Sequence, residues 1–319
     1  MVAMGIREFE PSDYPSVALI HDSLFPNHLF FRKRDEYEDS CYGRTRYRMK
    51  RLVAEVGSGG VVGFGEYKHL FFAYHRRKFA INIEVSPEWQ RRGIGGTLYN
   101  QIMKELVGLG AETVWPLVLS TSSSAIEFLQ KRGFVQKRKM IESRLDLEKF
   151  DPAPFSAALD RLKAEGLAIS SFSSAMHEDP SSARKLKDLD DSGSADVPSV
   201  LVESPMDFHD YEIIILNSPI MVWDGSFVAK ERGDFVGASS LLESGASAML
   251  DQGFTVVNPA WRGRGIAQAV KVHVAMYAKN KGFRYIRTHN DSENAPMLAV
   301  NKKLGFARGA DFLTFERTI

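Results

Sequence analysis

Apolar residues recur at helical spacing twice in this chain, each time after a strand-like run. Ile94, Leu98, Ile102 and Leu106 mark one amphipathic helix, and Ile266, Val270, Val274 and Tyr277 mark another. Gly110 and Gly282 are placed to stop them. Upstream, Leu52–Lys68 and Phe227–Glu243 both read as hairpins: an apolar strand, a polar turn containing glycine, then a strand containing Val-Gly. Met4–Glu10 and Leu167–Ser173 read as short first strands, each followed by an ill-defined helical stretch. Further strands end at Val85 and Val257, and Arg284–Asn290 alternates as a later one. A last helix carries Met297, Val300 and Leu304 on one face and stops at Gly305.

The two series are one pattern written twice. Gln90 matches Arg262, Gly93 matches Gly265 and Gly133-Phe134 matches Gly305-Phe306, at a constant offset of 172 residues. A repeat this long is a duplicated domain, not a solenoid unit. The implied division is a first domain over 1–150, a linker helix over 151–166 opened by the turn Asp-Pro-Ala-Pro, and a second domain over 167–319. The predicted class is α/β, with a mixed sheet in each half.

Composition narrows the setting. With 44% apolar and 25% charged residues in 319, the chain is an ordinary globular one of two-domain length. The longest apolar runs, such as Tyr211–Leu216, fall far short of a membrane span, and the first residues lack a secretory pattern. A lone cysteine, Cys41, excludes an internal disulfide framework and fits a reducing compartment, so a cytoplasmic location is expected. Net charge is +1 overall but +5 in residues 1–150 and −4 in the remainder. That imbalance argues against a whole-chain nucleic-acid binder and leaves the first half suited to an anionic ligand. Arg44–Arg51 and His75–Lys78 mix basic with aromatic residues, which suits RNA or an acidic substrate but is more often solvated strand decoration. His273 and His289 lack metal-ligand spacing, and no metal is expected.

The chemistry concentrates at two corners, "VSPEWQRRGIGG" (Val85–Gly96) and "VNPAWRGRGIA" (Val257–Ala267). Each joins a strand to a helix through arginines and glycines. A helix start exposes unpaired backbone N–H groups and about half a positive charge. Glycines let an anion approach that backbone, and arginines add long-range attraction, so the corner suits a pyrophosphate. It is not a Walker loop, and neither copy has the Gly-x-Gly-x-x-Gly dinucleotide fingerprint with its acidic residue.

These residues resemble the GNAT acetyltransferase superfamily. The pattern Val-x-Pro-x-x-Arg/Gln-x-x-Gly-x-Gly/Ala and a later Gly-Phe occur in both halves, and the second half adds an Asn-containing segment about thirty residues on and a helix ending Leu-Gly-Phe, so the chain resembles a tandem GNAT. The resemblance implies two domains with a splayed central sheet and acetyl-CoA as donor. It assigns pyrophosphate contacts to Arg262, Gly263, Arg264, Gly265, Ile266 and Ala267, and thioester carbonyl contacts to Val256 and Val257. Asn290 and Asn294 would hold the cofactor arm, although Asn294 also reads as a helix N-cap before Pro296. The first copy offers Val85, Gln90, Arg91, Arg92, Gly93, Ile94, Gly95 and Gly96, but has Gln90 for arginine and Ser122 opposite Asn294. The second copy is therefore expected to be catalytic and the first structural or acceptor-shaping.

Acetyl transfer to an amine needs a proton acceptor. The resemblance places one six residues before the valine, at Asp251, where the first copy has Phe79; Glu84 is a rival carboxylate. Asn301 stands where many relatives have a tyrosine acid and can donate only a hydrogen bond; the first copy has Leu129. His177–Ser199 reads as a polar helix and a Gly/Ser/Pro loop rimming the acceptor pocket. The expected activity is N-acetylation of a small-molecule or peptide amine by direct attack in a ternary complex. The alternative is a non-catalytic acyl-CoA sensor. Neither a nucleic-acid nor a membrane partner is expected, and the chain is read as a monomer or homodimer.

Overall fold

A computed structural model describes residues 4–57, 60–194 and 205–319. The first repeat contributes β1 (Met4–Glu8), α1 (Tyr14–Leu24), α2 (Arg32–Tyr42), β2 (Met49–Val56), β3 (Gly60–Lys68), β4 (Lys78–Val85), α3 (Ile94–Gly108), β5 (Thr113–Leu119), α4 (Ser123–Gln130) and β6 (Val135–Asp146). A linking helix, α5 (Ser156–Ala164), follows the Asp-Pro-Ala-Pro turn. The second repeat contributes β7 (Leu167–Ser171), α6 (Phe172–Glu178), α7 (Ser182–Ser194), α8 (Phe208–Tyr211), β8 (Phe227–Glu231), β9 (Asp234–Glu243), β10 (Met249–Val257), α9 (Ile266–Asn280), β11 (Tyr285–Asp291), α10 (Ala295–Leu304) and β12 (Ala307–Thr318). The expected hairpins are β2–β3 and β8–β9, although turn residues 58–59 of the first lie outside the described residues. The expected Gly/Ser/Pro loop falls outside them from residue 195.

The helices form where the apolar spacing places them. Ile94, Leu98, Ile102 and Leu106 are all buried, as are Ile266, Val270 and Val274, while Tyr277 is half-buried. Both helices close the same way. Gly110 and Gly282 are left-handed, and the amides of Ala111 and Phe283 reach back to the carbonyls of Leu106 and Ala278. Close seating on the sheet depends on one glycine in each repeat. A Cβ at Gly63 would lie 3.1 Å from Ile94 Cγ2, and one at Gly237 2.5 Å from Ile266 Cγ2.

The chain forms two compact units. Unit 1 holds the described residues of Met1–Arg138, Val200–Met206 and Phe312–Ile319; unit 2 holds those of Lys139–Ser199 and Asp207–Asp311. Within unit 1 the strands run β1-β2-β3-β4-β5, all antiparallel except the parallel β4–β5 pair, and Phe312–Thr318 of β12 pairs antiparallel with β5. Within unit 2, β7-β8-β9-β10 are antiparallel, β10–β11 is parallel, and β6 pairs with β11. Each unit thus takes a strand from the other repeat. Leu313 and Phe315 are buried in the unit 1 core among Leu98, Ile102 and Phe134. Leu145 and Leu147 join the unit 2 core with Leu250, Val274 and Ile286.

Candidate functional site

Each unit's parallel pair separates soon after it forms. Strand β4 pairs with β5 only from Lys78↔Thr113 to Ile81↔Pro116, and β10 with β11 only from Met249↔Tyr285 to Asp251↔Arg287. Beyond those rungs the strand ends carry the corner loops. Pairing is lost where the backbone of Asn82–Val85, or of its counterpart near Val256 and Val257, would otherwise donate across the sheet. Such a gap exposes N–H groups to a ligand.

The two loops are built alike in several contacts. Gln90 Nε2 donates to the Val85 carbonyl at 3.0 Å, and Arg262 Nε to the Val257 carbonyl at 3.2 Å. Arg92 lies over the Trp89 ring at 4.7 Å, and Arg264 over Trp261 at 4.4 Å. Gly93 and Gly265 are left-handed at the helix N-caps, with φ of 88° and 91°, and no side chain caps either helix. Two residues earlier a second left-handed position is Gly263 in one loop and Arg91, at φ 62°, in the other. The first amides of α3 and α9 are therefore presented to an anion at exposed glycines. Gln90 and Arg262 alike fasten the loop to its strand.

The loop of unit 1 opens into a cavity of about 560 Å³. Its walls are the separated strand segments Ile81–Val85 and Pro116–Leu119, the loop glycines Gly93, Gly95 and Gly96, and Tyr99, Phe128 and Arg132 from the helices. Arg132 lies 3.5 Å over the Phe128 ring. Strand alternation divides the walls chemically. Ile81, Ile83 and Val85 pack toward α3, whereas Glu84 points the other way and meets His21 of α1. Glu84 is 4% exposed; His21 Nδ1 lies 3.1 and 3.2 Å from its two oxygens, and Asn82 Nδ2 donates to it at 2.8 Å. Burial pulls the His21 pKa down, but the Glu84 carboxylate outweighs it and the net shift is upward. This pair joins an α1 residue to a β4 residue 63 positions away, and nothing in the sequence links them except the single charge in "FAINIEV".

The residues expected to act in the second repeat are otherwise engaged. Both oxygens of Asp251 are held by Arg287, with Nε at 2.7 Å and Nη2 at 2.9 Å, and the guanidinium is buried. The bidentate pair gives Asp251 an anchoring part at that rung. Asn294 takes its capping role, accepting from the Met297 amide at 3.2 Å. Asn301 is buried and donates from Nδ2 to Asn290 Oδ1 at 2.7 Å, while its own Oδ1 has no hydrogen-bond partner among the described residues. Val256 is buried at the position matching Glu84, and α7 presses on it: a Cβ at Gly193 would lie 2.2 Å from Val256 Cγ2.

The remaining sequence features are structural. Arg51 is buried between Asp39 and Glu66, and Lys50 pairs with Glu8 and Glu105, so these two cations of the basic run are neutralised internally. Cys41 is buried, and burial pushes its thiol pKa up. Among the described residues no helix is long and apolar enough to cross a membrane.

Comparison with known proteins supplies the context. The profile of the Acetyltransferase (GNAT) family matches residues 15–134 and again 199–306. Mycothiol acetyltransferase of Amycolatopsis mediterranei is 26% identical over 270 residues, which is 81% of each chain. A GCN5-related N-acetyltransferase from Sphaerobacter thermophilus superposes with a TM-score of 0.73 at 16% identity, covering 99% of this chain and 95% of that one. A tandem GNAT protein from the clavulanic acid biosynthesis pathway gives 0.72 at 18% identity, covering 99% and 98%.

Proposed function

Because the chain belongs to the GNAT acetyltransferase family, with a family match in each repeat, we propose that it transfers an acetyl group from acetyl-CoA to a primary amine. The observation that carries this reading is the uncapped helix start behind a left-handed glycine, at the end of a parallel pair that separates. Exposed amides and an arginine-rich loop suit a pyrophosphate. The unpaired strand edge beyond Ile81 suits an amide-bearing arm and a polarised carbonyl. Acetyl-CoA, when bound, supplies a thioester activated toward amines.

On the protein's side, the loop residues Gln90–Gly96 and Arg262–Ala267 bind phosphate. Backbone N–H groups near Val85, and near Val256 and Val257, polarise the carbonyl oxygen. The cleft of unit 1 supports a larger part for the first repeat than its sequence implied. The chain is similar to mycothiol acetyltransferase over most of its length, so a mycothiol-type acceptor belongs among the amines to try, beside aminoglycosides, polyamines, amino acids and peptide N-termini.

The test is thiol release from acetyl-CoA in the presence of such an amine panel, with product mass confirming one added acetyl group. Tight acetyl-CoA binding with no amine-dependent thiol release would overturn the reading in favour of a sensor.

A further inference from the structure

Resting on that reading, we infer that the Glu84–His21 pair in unit 1 is the proton acceptor for the amine, so that acyl transfer takes place in the first repeat. The geometry sets the proton's place. The His21 Nε2 atom lies 2.8 Å from the His28 backbone carbonyl, which can only accept, so Nε2 carries a hydrogen. The Nδ1 lone pair is then left facing the Glu84 carboxylate. One proton fits between them, and its absence leaves a lone pair against a negative oxygen.

The pair sits where an acceptor needs it. Glu84 lines the cavity and adjoins Val85, the strand end fastened to the loop, while His21 lies behind it among the rings of Phe25 and Phe30. The donor loop and α3 lie on one side of β4, and Glu84 faces the opposite, α1 side. Glu84 lines the cavity, so an amine held there reaches it. Asn82 fixes Glu84 Oε1 from the same strand face. The matching position in the second repeat is Val256, closed over by Gly193, and cannot hold a proton.

The step balances without another reagent. The amine nitrogen forms the new C–N bond with the carbonyl carbon. The C–S bond breaks with its electron pair on sulfur, which leaves as the thiolate. The proton lost by nitrogen passes to Glu84 and is stored on His21 Nδ1. Glu84 is the group that touches substrate, and His21 is a positioning residue that sets the pair's proton affinity. The charged groups acting on His21 are Glu84 across the gap and Asp22 on its own helix, and both favour the protonated form. Activity therefore falls as pH drops through a pKa above the ordinary imidazole value of about 6.5.

The experiment compares wild type, Glu84→Gln and His21→Asn by acetyl-CoA calorimetry, amine-dependent thiol release across pH, and NMR titration of the His21 ring. The expected result is kept acetyl-CoA affinity and turnover down roughly 10²- to 10⁴-fold in Glu84→Gln. His21→Asn should shift or remove the acid limb, and the His21 titration should move to lower pH in Glu84→Gln. Active variants with wild-type turnover and an unmoved acid limb would overturn the pair's role and leave the acetyltransferase reading standing. No amine-dependent thiol release by wild type would instead remove that reading and this one together. Should Glu84→Gln fail to fold, His21→Asn carries the same decision through the acid limb alone.

Discussion

Arg287 grips both carboxylate oxygens of Asp251, at 2.7 and 2.9 Å, on the last rung that β10 and β11 share before they part. The pair marks the point of separation in unit 2 and holds its two strands together there. Asp251→Asn should leave a buried guanidinium poorly matched. The cost is below the roughly 3–5 kcal/mol of a fully buried pair, because the Asp251 side chain is 23% exposed. A loss of about 1–3 kcal/mol in chemical denaturation, with an unmoved pH–rate profile, is expected. A displaced acid limb would return Asp251 to the mechanism.

The two loops can be separated by a carboxylate placed at each glycine. Gly93→Glu should abolish turnover, since Gly93 lines the unit 1 cleft and a negative side chain there opposes a pyrophosphate. Gly265→Glu should remove donor binding at unit 2 while sparing most turnover. Calorimetry counts the sites remaining in each variant. Greater loss of turnover at Gly265 would move the chemistry to the second repeat.

Lys271 offers a test by pH. It is fully buried on α9 with Gln252 as its hydrogen-bond partner, and burial lowers its pKa to about 7. Unfolded, the lysine titrates near 10.4, so between pH 7 and about 10 the unfolded chain binds more protons than the folded one. Stability must therefore rise with pH across that window, by at most about 1.4 kcal/mol per pH unit from this group. Lys271→Met should flatten that rise in urea midpoints measured from pH 7 to 10. An unchanged slope would show that the ammonium is solvated.

Phe315 is 1% exposed in the unit 1 core, and Trp115 of β5 donates to Glu316 beside it at 2.9 Å. Phe315→Ala should cost about 3–5 kcal/mol. The loss should appear in unit 1, read as faster amide exchange in β4 and β5. An effect below about 1 kcal/mol would mean that β12 adds little to that sheet.

Helices α3 and α9, their glycine stops and the paired loops could be read from the sequence because each depends on residues within a turn or two. Gly93 and Gly265 mark the two loops by themselves. Partners across space carry no such signal. No local pattern names β12 as the neighbour of β5, and Asp251 looks free until Arg287 is placed beside it. Glu84 could point to either face of β4, and only the packing of Ile83 and Val85 against α3 settles that it meets His21. The first repeat looked the weaker copy because Gln90 and Ser122 were compared with an expected motif. Its cavity is a property of walls that the motif does not contain.

The exchange of closing strands also governs how the molecule is made. Trp115 and its partner Glu316 are 201 residues apart. At roughly 5–20 residues per second, a ribosome needs about 10–40 s to supply β12 after β5 has emerged. Throughout that interval β5 is an open sheet edge, with Leu117 and Val118 awaiting a partner, and such an edge recruits other nascent chains. Synthesis of this protein is thus exposed to a period of crowding risk that a contiguous pair of domains would escape, and slowed or stalled translation between the repeats should raise the aggregated fraction.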